Sequence, residues 1–371
     1  MASGCACARS ARLSRDFTQA VGSVPIVRLH RLTAACKSHL MYLKLEGCNP
    51  GGSIKEKNAV FLVDQAEESG QLAPGGTIVE SSSGNFGVAL AMIGAARSYR
   101  VIIVVDQKTT PAFRRTLEAY GAELEEVPPS AADASGSLQP ARMARARELS
   151  ETIPGAWYPC QHLNPENPRA HSEFTAREIQ AAFPDGLDCL VVGVSTGGQL
   201  MGLASWLRPL FPRLEVVAVD VAGSQILGGP PAPYKMTGIG LSFRPPCLDY
   251  SLIDAGYIVP ERLAYSVCHA LARREGLLLG SSTGAIVAAG LRHAASLAPG
   301  SEVLMINPDR GERYLDTVYN PQWLVRNGFE LLAPEQLAGA IQTLDPVDTF
   351  RQLSGPGPTL KPCSSGRLQL S

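Results

Sequence analysis

The chain has 371 residues, 45% of them hydrophobic, so it is long enough to bury one large or two ordinary cores. Its 33 lysines and arginines against 34 acidic residues leave a formal net charge of −1. Beyond the helix-like stretch 142–147, read mainly as a solvated face, no basic stripe favours nucleic acid or a membrane surface. Nine cysteines show neither CxxC pairs nor zinc-type histidine spacing, and no apolar run reaches membrane-spanning length. Residues 1–15, a tail carrying Cys5 and Cys7, lack the apolar segment of a secretory signal. A reducing cytoplasm is the expected location, with no membrane and no nucleic acid as partner.

In chain order, Asn49-Pro50-Gly51-Gly52-Ser53-Ile54-Lys55 reads as a turn with Ser53 capping a helix over 55–69 that stops at Gly70. Thr77-Ile78-Val79 reads as a strand, and Glu80 to Gly87 as a turn of hydroxyls and amides leading into the apolar helix 88–93. Strands over 101–105 and 123–127 flank a helix over 112–120 that stops at Gly121, and residues 128–140 read as a polar surface loop. A second strand-to-helix turn follows, with Val191-Val192-Gly193-Val194 entering Ser195-Thr196-Gly197-Gly198-Gln199 before a helix over 200–207. Strands over 216–219 and 303–306 and a helix over 261–275, stopped by Gly276, complete the alternation. That alternation predicts an α/β fold with parallel sheets carrying helices on both faces. From about residue 335 the tail, ending in Ser354-Gly355-Pro356-Gly357-Pro358 and Ser364-Ser365-Gly366, reads as partly disordered.

Three features bear chemistry. Lys55 stands just inside a helix, lifted by a turn, where an amine can form a Schiff base; the alternative is a solvated first-turn lysine. The Ser81-Ser82-Ser83-Gly84-Asn85 and Ser195–Gln199 turns each converge on a helix N-terminus, where backbone N–H groups cradle an anion. Pyridoxal 5'-phosphate needs all three: a lysine for its aldehyde, a cup for its phosphate, and a second cup for an amino-acid carboxylate.

At these residues the chain resembles the fold-type II pyridoxal-phosphate enzymes of the cysteine synthase and cystathionine β-synthase family. The likeness runs from about Gly22 to Trp323 and includes Asn164-Pro165-Glu166-Asn167-Pro168 ahead of His171, Thr237-Gly238-Ile239-Gly240, Gly280-Ser281-Ser282-Thr283-Gly284 and Gly311-Glu312-Arg313-Tyr314-Leu315. The segments 80–93, 308–316 and 318–319 look closest to the branch that joins O-phospho-L-serine to L-glutamate, giving N-(2-amino-2-carboxyethyl)-L-glutamate on the way to 2,3-diaminopropionate for siderophores or peptide antibiotics. The resemblance implies a two-domain, tryptophan synthase β-like fold with parallel-rich sheets. A small domain over 47–158 would be inserted into a large cofactor-binding domain made of 16–46 and 159–328, with residues 329–371 as an extension. It also implies a homodimer acting on small amino-acid substrates by β-replacement. The alternatives are a cysteine synthase using O-acetylserine or O-phosphoserine with sulfide, and a cofactor-binding regulatory homologue.

Residue by residue, the resemblance makes Lys55 the Schiff-base lysine and the base for the substrate α-proton. It gives Asn85 to the cofactor's phenolic oxygen, against a plain helix cap, and Ser195, Thr196, Gly197, Gly198 and Gln199 to the phosphate, against a structural turn. Ser82, Ser83 and Gly84 would hold the substrate carboxylate, with Gln161 sensing it. Ser282 is the expected partner of the pyridine nitrogen, with Asp309 the alternative and otherwise structural. A neutral hydroxyl there would leave the nitrogen unprotonated and favour elimination over transamination. Cysteine synthases carry threonine at the positions of Ser82 and Phe86; Phe86 is expected to remove a hydroxyl and narrow the pocket. Arg142 and Arg244 are candidates for the extra negative charges of the substrates, or else solvated. His162 and His171 are read as packed side chains without a chemical role.

Overall fold

The computed structural model describes residues 13–33, 38–132, 136–353, 360–362 and 368–370. Two large sheets organise them, beside a two-stranded antiparallel pair of Leu360–Pro362 and Leu368–Leu370. In the four-stranded sheet, β3 (Thr77–Ser81), β4 (Arg100–Val105), β5 (Glu123–Glu126) and β6 (Ala156–Trp157) run parallel in the order β5-β4-β3-β6. In the six-stranded sheet the order is β1-β2-β10-β7-β8-β9, with β2 (Leu40–Leu45), β7 (Cys189–Gly193), β8 (Glu215–Val221), β9 (Ala255–Val259) and β10 (Glu302–Asn307) parallel. Only β1 (Ile26–Arg28) is antiparallel there, at one edge.

The central strands of both sheets are buried on two faces, which is why they are nearly continuous apolar runs, whereas the edge strand β5 stays partly exposed. Along β4, Val101, Ile103 and Val105 pack with Phe61, Leu90 and Ile93 of α1 (Lys55–Glu68) and α2 (Asn85–Arg97). The alternate residues Ile102 and Val104 pack with Leu138 and Ala146 beside α4 (Gln139–Thr152). In the larger sheet, Val191, Val217 and Met305 face α8 (Glu261–Ala270) and α9 (Ser281–Ala294), while Val192, Ala218 and Ile306 face α6 (Arg177–Ala182) and α7 (Gly198–Leu207).

The helix stops fall where glycine was expected: Gly70, Gly121 and Gly276 adopt φ of +75°, +82° and +73°. The third closes a π turn over Leu271–Glu275 rather than the last turn of α8. The sequence reading did not anticipate β1, β2, β6 and β9 of these sheets, of which β1 and β6 are only three and two residues long. The 142–147 stretch is not simply a solvated face, because Arg142, Met143 and Ala146 of α4 are buried. In the C-terminal extension, α11 (Pro334–Gln342) buries Leu337 and Ile341 against the α8/α9 layer, and Phe350 is fully buried beside β9. The backbone N–H of Val347 donates to Gly256 O at 2.8 Å, so this segment covers the β9 edge. The expectations for Cys5 and Cys7, for residues 354–358 and for 364–366 lie outside the described residues. Among the described residues no helix is long and apolar enough to cross a membrane.

Candidate active site

The turns that carry Lys55, Ser82–Asn85 and Ser195–Gln199 follow the carboxyl ends of the parallel strands β2, β3 and β7, where open α/β sheets form their clefts. The turn before α1 is held from three sides. Asn49 donates to Glu46 O at 2.8 Å and accepts from Gly22 N at 2.9 Å, Ile54 N donates to Pro308 O at 2.8 Å, and Ser53 bridges to Asp309. The helix cap differs from expectation. Glu56 accepts from Gly51 N at 2.6 Å and Ser53 N at 2.9 Å, leaving Ser53 Oγ only a 3.3 Å contact from Lys55 N.

Two lysines share this first turn, and their partners separate them. Lys57 Nζ is buried at 2.9 Å from both Glu46 Oε1 and Glu178 Oε2, in a tetrad completed by Lys44 at 2.5 Å from Glu178. Charge is balanced there, two ammonium groups against two carboxylates. Lys55 is half-buried by surface area yet surrounded by protein, and its side-chain Nζ makes no hydrogen bond or ion pair among the described residues. Burial draws its ammonium down from 10.5 to about 8, against the opposing pull of the Asp309 carboxylate. An amine so placed is a usable nucleophile and base near neutral pH.

After β3, Ser82 Oγ accepts from Gly87 N at 3.0 Å and Gly84 N at 3.3 Å, so this hydroxyl caps α2. Ser83, Gly84 and Asn85 stay partly accessible at the mouth of the turn. Asn85 Nδ2 donates to Asp309 Oδ2 at 2.7 Å, and Asn85 Oδ1 accepts from Arg313 Nη1. Phe86 overturns the expectation of a narrowed pocket: it is 1% exposed and packed in the apolar core beneath α2, so it faces away from the cleft. Below the turn Glu80 is fully buried. Its carboxylate accepts from Ser81 N and Gln161 N, yet burial lifts it to about 8.

After β7, Ser195-Thr196-Gly197 forms the second turn, with Gly197 at φ +81° and α7 beginning at Gly198. A side chain at 198 would collide with Asn167, since an added Cβ would sit 2.1 Å from its Oδ1. Asn167 in turn donates to Gln161 O at 2.7 Å and Thr196 Oγ1 at 3.1 Å, and accepts from Asn58 Nδ2 at 2.9 Å. This one buried amide joins α1, the Gln161 loop and the cup. Gln199 Nε2 and Gln161 Oε1 are buried with no hydrogen-bond partner, two polar atoms awaiting something polar.

Ser282 lies fully buried in the first turn of α9, under the 237–240 loop: a Cβ on Gly238 would stand 3.7 Å from its Oγ. Asp309 is buried too, with Oδ2 accepting from Asn85 and, at 2.6 Å, from Tyr314 while Oδ1 has no partner. Arg142, 8% exposed, sets its Nε 3.1 Å from Asp106 Oδ2, and its Nη1 makes no hydrogen bond. Burial is the main force holding His162 down at about 3, and the charges of Arg142 and Lys55 add to it, so the three form one neighbourhood. His171 is also buried, and for the same reason its pKa falls well below the usual value; both histidines are therefore neutral packing groups. Arg244 stays outside this constellation; it is exposed, and its charge is felt at Tyr250. Sequence reasoning missed Asn167, Glu80 and Arg313 as site residues. Each lay within a quoted motif, but nothing local marked it as a contact.

The profile of the family described as "Pyridoxal-phosphate dependent enzyme" matches residues 17–309. The chain is 37% identical over 334 residues to an N-(2-amino-2-carboxyethyl)-L-glutamate synthase of Ralstonia nicotianae, covering 90% of this chain and 96% of that one. It is 38% identical over 301 residues to a probable cysteine synthase of Bacillus subtilis, covering 80% and 94%. Among solved structures, an O-ureido-L-serine synthase superposes with a TM-score of 0.77 at 35% identity, over 88% of this chain and all of that one.

Proposed function

The chain belongs to the family of pyridoxal-phosphate dependent enzymes, and from that premise we propose that it catalyses a β-replacement joining O-phospho-L-serine to L-glutamate. The products are N-(2-amino-2-carboxyethyl)-L-glutamate and phosphate, a step towards 2,3-diaminopropionate for a siderophore or peptide antibiotic. The observation that carries this choice is Arg142, a guanidinium buried near His162, whose ring also feels the Lys55 charge, with a donor left unpaired. A second carboxylate or a phosphoryl group is the ligand such a donor suits.

The residues fit the cofactor. Lys55 is unpaired with a lowered pKa; Gly197 and Gly198 leave no room for side chains; Gln199 has an unpartnered amide; and the first N–H groups of α7 are free of intrahelical partners. Ser195 to Gln199 would hold its phosphate, Asn85 its phenolic oxygen and Ser282 its ring nitrogen. When bound, the cofactor supplies an electron sink for charge developing at the substrate α-carbon. The protein's part is positional. Ser83, Gly84 and the amides at the start of α2 receive the α-carboxylate, with Ser82 bracing that turn and Gln161 beside it. With its pKa near 8, Lys55 is unprotonated in roughly one molecule in ten at pH 7, takes the α-proton, and returns it to the same carbon. The bond from the β-carbon to the phosphate oxygen breaks, and the glutamate nitrogen forms the new bond while losing a proton. Arg142 in the small-domain wall orients the added negative charge.

A second reading is a cysteine synthase, favoured by the comparable identity to the Bacillus protein and by Phe86, which no longer counts against it. Mass spectrometry of products from the cofactor-loaded protein, given O-phosphoserine or O-acetylserine with glutamate or sulfide, decides. The phosphoserine–glutamate adduct is expected; cysteine without adduct would return the chain to the cysteine synthases. Loss of turnover with both nucleophiles in Lys55→Ala is expected in either case, and its retention would refute Lys55 as the catalytic amine; a wild-type protein that turns over none of these pairs would instead be a regulatory homologue. By the same family resemblance we assign a homodimer, a cytoplasmic location, and a cleft between the 47–158 domain and the 16–46 plus 159–328 domain.

A further inference from the structure

Asn85 is held by two groups that arrive from more than 200 residues further along the chain. On one side Asp309 Oδ2 accepts from its Nδ2 at 2.7 Å; on the other Arg313 Nη1 donates to its Oδ1. The same guanidinium donates through Nη2 to Gly51 O, in the turn that presents Lys55, and lies over the Phe113 ring at 5.7 Å. Asp309 is itself fixed, its Oδ2 taking a second bond from the Tyr314 hydroxyl at 2.6 Å and its backbone O accepting from Gly280 N and Asn307 Nδ2.

A primary amide has a donor end and an acceptor end of almost the same shape, so packing alone does not tell them apart. Charge does. A guanidinium only donates, and an oxygen that already accepts from Tyr314 has no proton to give, so a flipped Asn85 would set N–H against N–H and oxygen against oxygen. The cost would be two hydrogen bonds to charged groups in a partly dry cleft. Of the two hydrogens on Asn85 Nδ2, Asp309 takes one and the other stays free.

We propose that Asp309 and Arg313 are positioning residues that lock the Asn85 amide with its remaining N–H, not its carbonyl, towards the cofactor's phenolic oxygen. Arg313 ties that orientation to the Lys55 turn. This rests on the reading of Asn85 as a cofactor contact, and it gives Asp309 a task distinct from pairing with the ring nitrogen. A glutamine at 313 can offer either end, so it no longer dictates which way Asn85 points; a lysine still only donates.

The test is a double-substitution cycle on the full-length protein, read by the dissociation constant for pyridoxal phosphate and by the pH at which the holoenzyme's visible absorbance titrates. Asn85→Ala and Arg313→Gln are each expected to weaken cofactor binding on the order of five- to tenfold, with the double variant no weaker than either alone. The absorbance midpoint should move in the same direction in both, and Arg313→Lys should restore most of the affinity and the midpoint. Multiplying losses in the double variant would overturn the proposal, as would unaltered binding in Arg313→Gln beside impaired binding in Asn85→Ala. Asn85→Ala with unchanged affinity and absorbance would refute the reading of Asn85 itself, and the proposal with it. Where Arg313→Gln does not fold, Asp309→Asn, which loses the obligate acceptor, completes the same cycle.

Discussion

Gly198→Ala isolates the role of a single hydrogen atom at the phosphate cup. The added carbon would stand 2.1 Å from Asn167 Oδ1 and 2.4 Å from its Cγ, far inside contact distance. Asn167 has nowhere to go, being fully buried and bonded to Gln161 O, Thr196 Oγ1 and Asn58 Nδ2. Overpacking alone costs about 1–3 kcal/mol, and each of the three bonds it strains is worth about 0.5–1.5 kcal/mol. With partial relaxation the expected loss is about 3–5 kcal/mol, a large part of the stability of an ordinary domain. Gly121→Ala is the control: at φ +82° with nothing within 4 Å of the new carbon, it carries backbone strain only, about 1–2 kcal/mol. Urea unfolding of both variants, with and without pyridoxal phosphate, separates the terms. Because Asn167 joins the cup to the Gln161 loop, Gly198→Ala should also weaken cofactor affinity about tenfold, which Gly121→Ala should not. Gly198→Ala with wild-type cofactor affinity and a stability loss no greater than the control would refute the reasoning.

Other outcomes follow from the same geometry. With Lys55 near 8, the rate of α-proton exchange in deuterated buffer should rise about tenfold per pH unit and level off above about pH 8; a flat profile from pH 6 to 8 would assign the base elsewhere. Glu80 is lifted from 4.5 to about 8, so the folded chain keeps a proton that the unfolded chain releases between those values. Its contribution to stability is therefore complete below about pH 4.5 and is lost as pH rises towards 8. Glu80→Gln should flatten that decline by a slope approaching ~1.4 kcal/mol per pH unit, seen in urea midpoints at several pH values; identical slopes would rule out a protonated Glu80. Phe350→Ala should cost about 3–5 kcal/mol in chemical denaturation, because the ring is fully buried and packs where Gly256 leaves β9 bare. A loss under about 1 kcal/mol would mean that the extension is not part of the core.

What the sequence by itself determined was whatever short range decides. Apolar runs such as 189–193 and 302–307 became strands buried on both faces, glycines at 70, 121 and 276 took left-handed conformations at helix ends, and small-residue turns opened α2 and α7. Lys55 and the Ser195–Gln199 turn were legible for the same reason: a reactive amine and an anion cup are built from neighbours in the chain. Strands β1 and β6 were less legible, since two or three residues become a strand only when a longer strand lies beside them. Tertiary structure decided direction and partnership. It saturated Lys57 with carboxylates and left Lys55 free, turned Phe86 into the core, buried Arg142 with an unpaired donor, and brought Asp309 and Arg313 to Asn85 from 224 and 228 residues away. The physical reason is separation along the chain: a buried polar atom must find a partner wherever the fold supplies one, and no local pattern records which distant residue that will be.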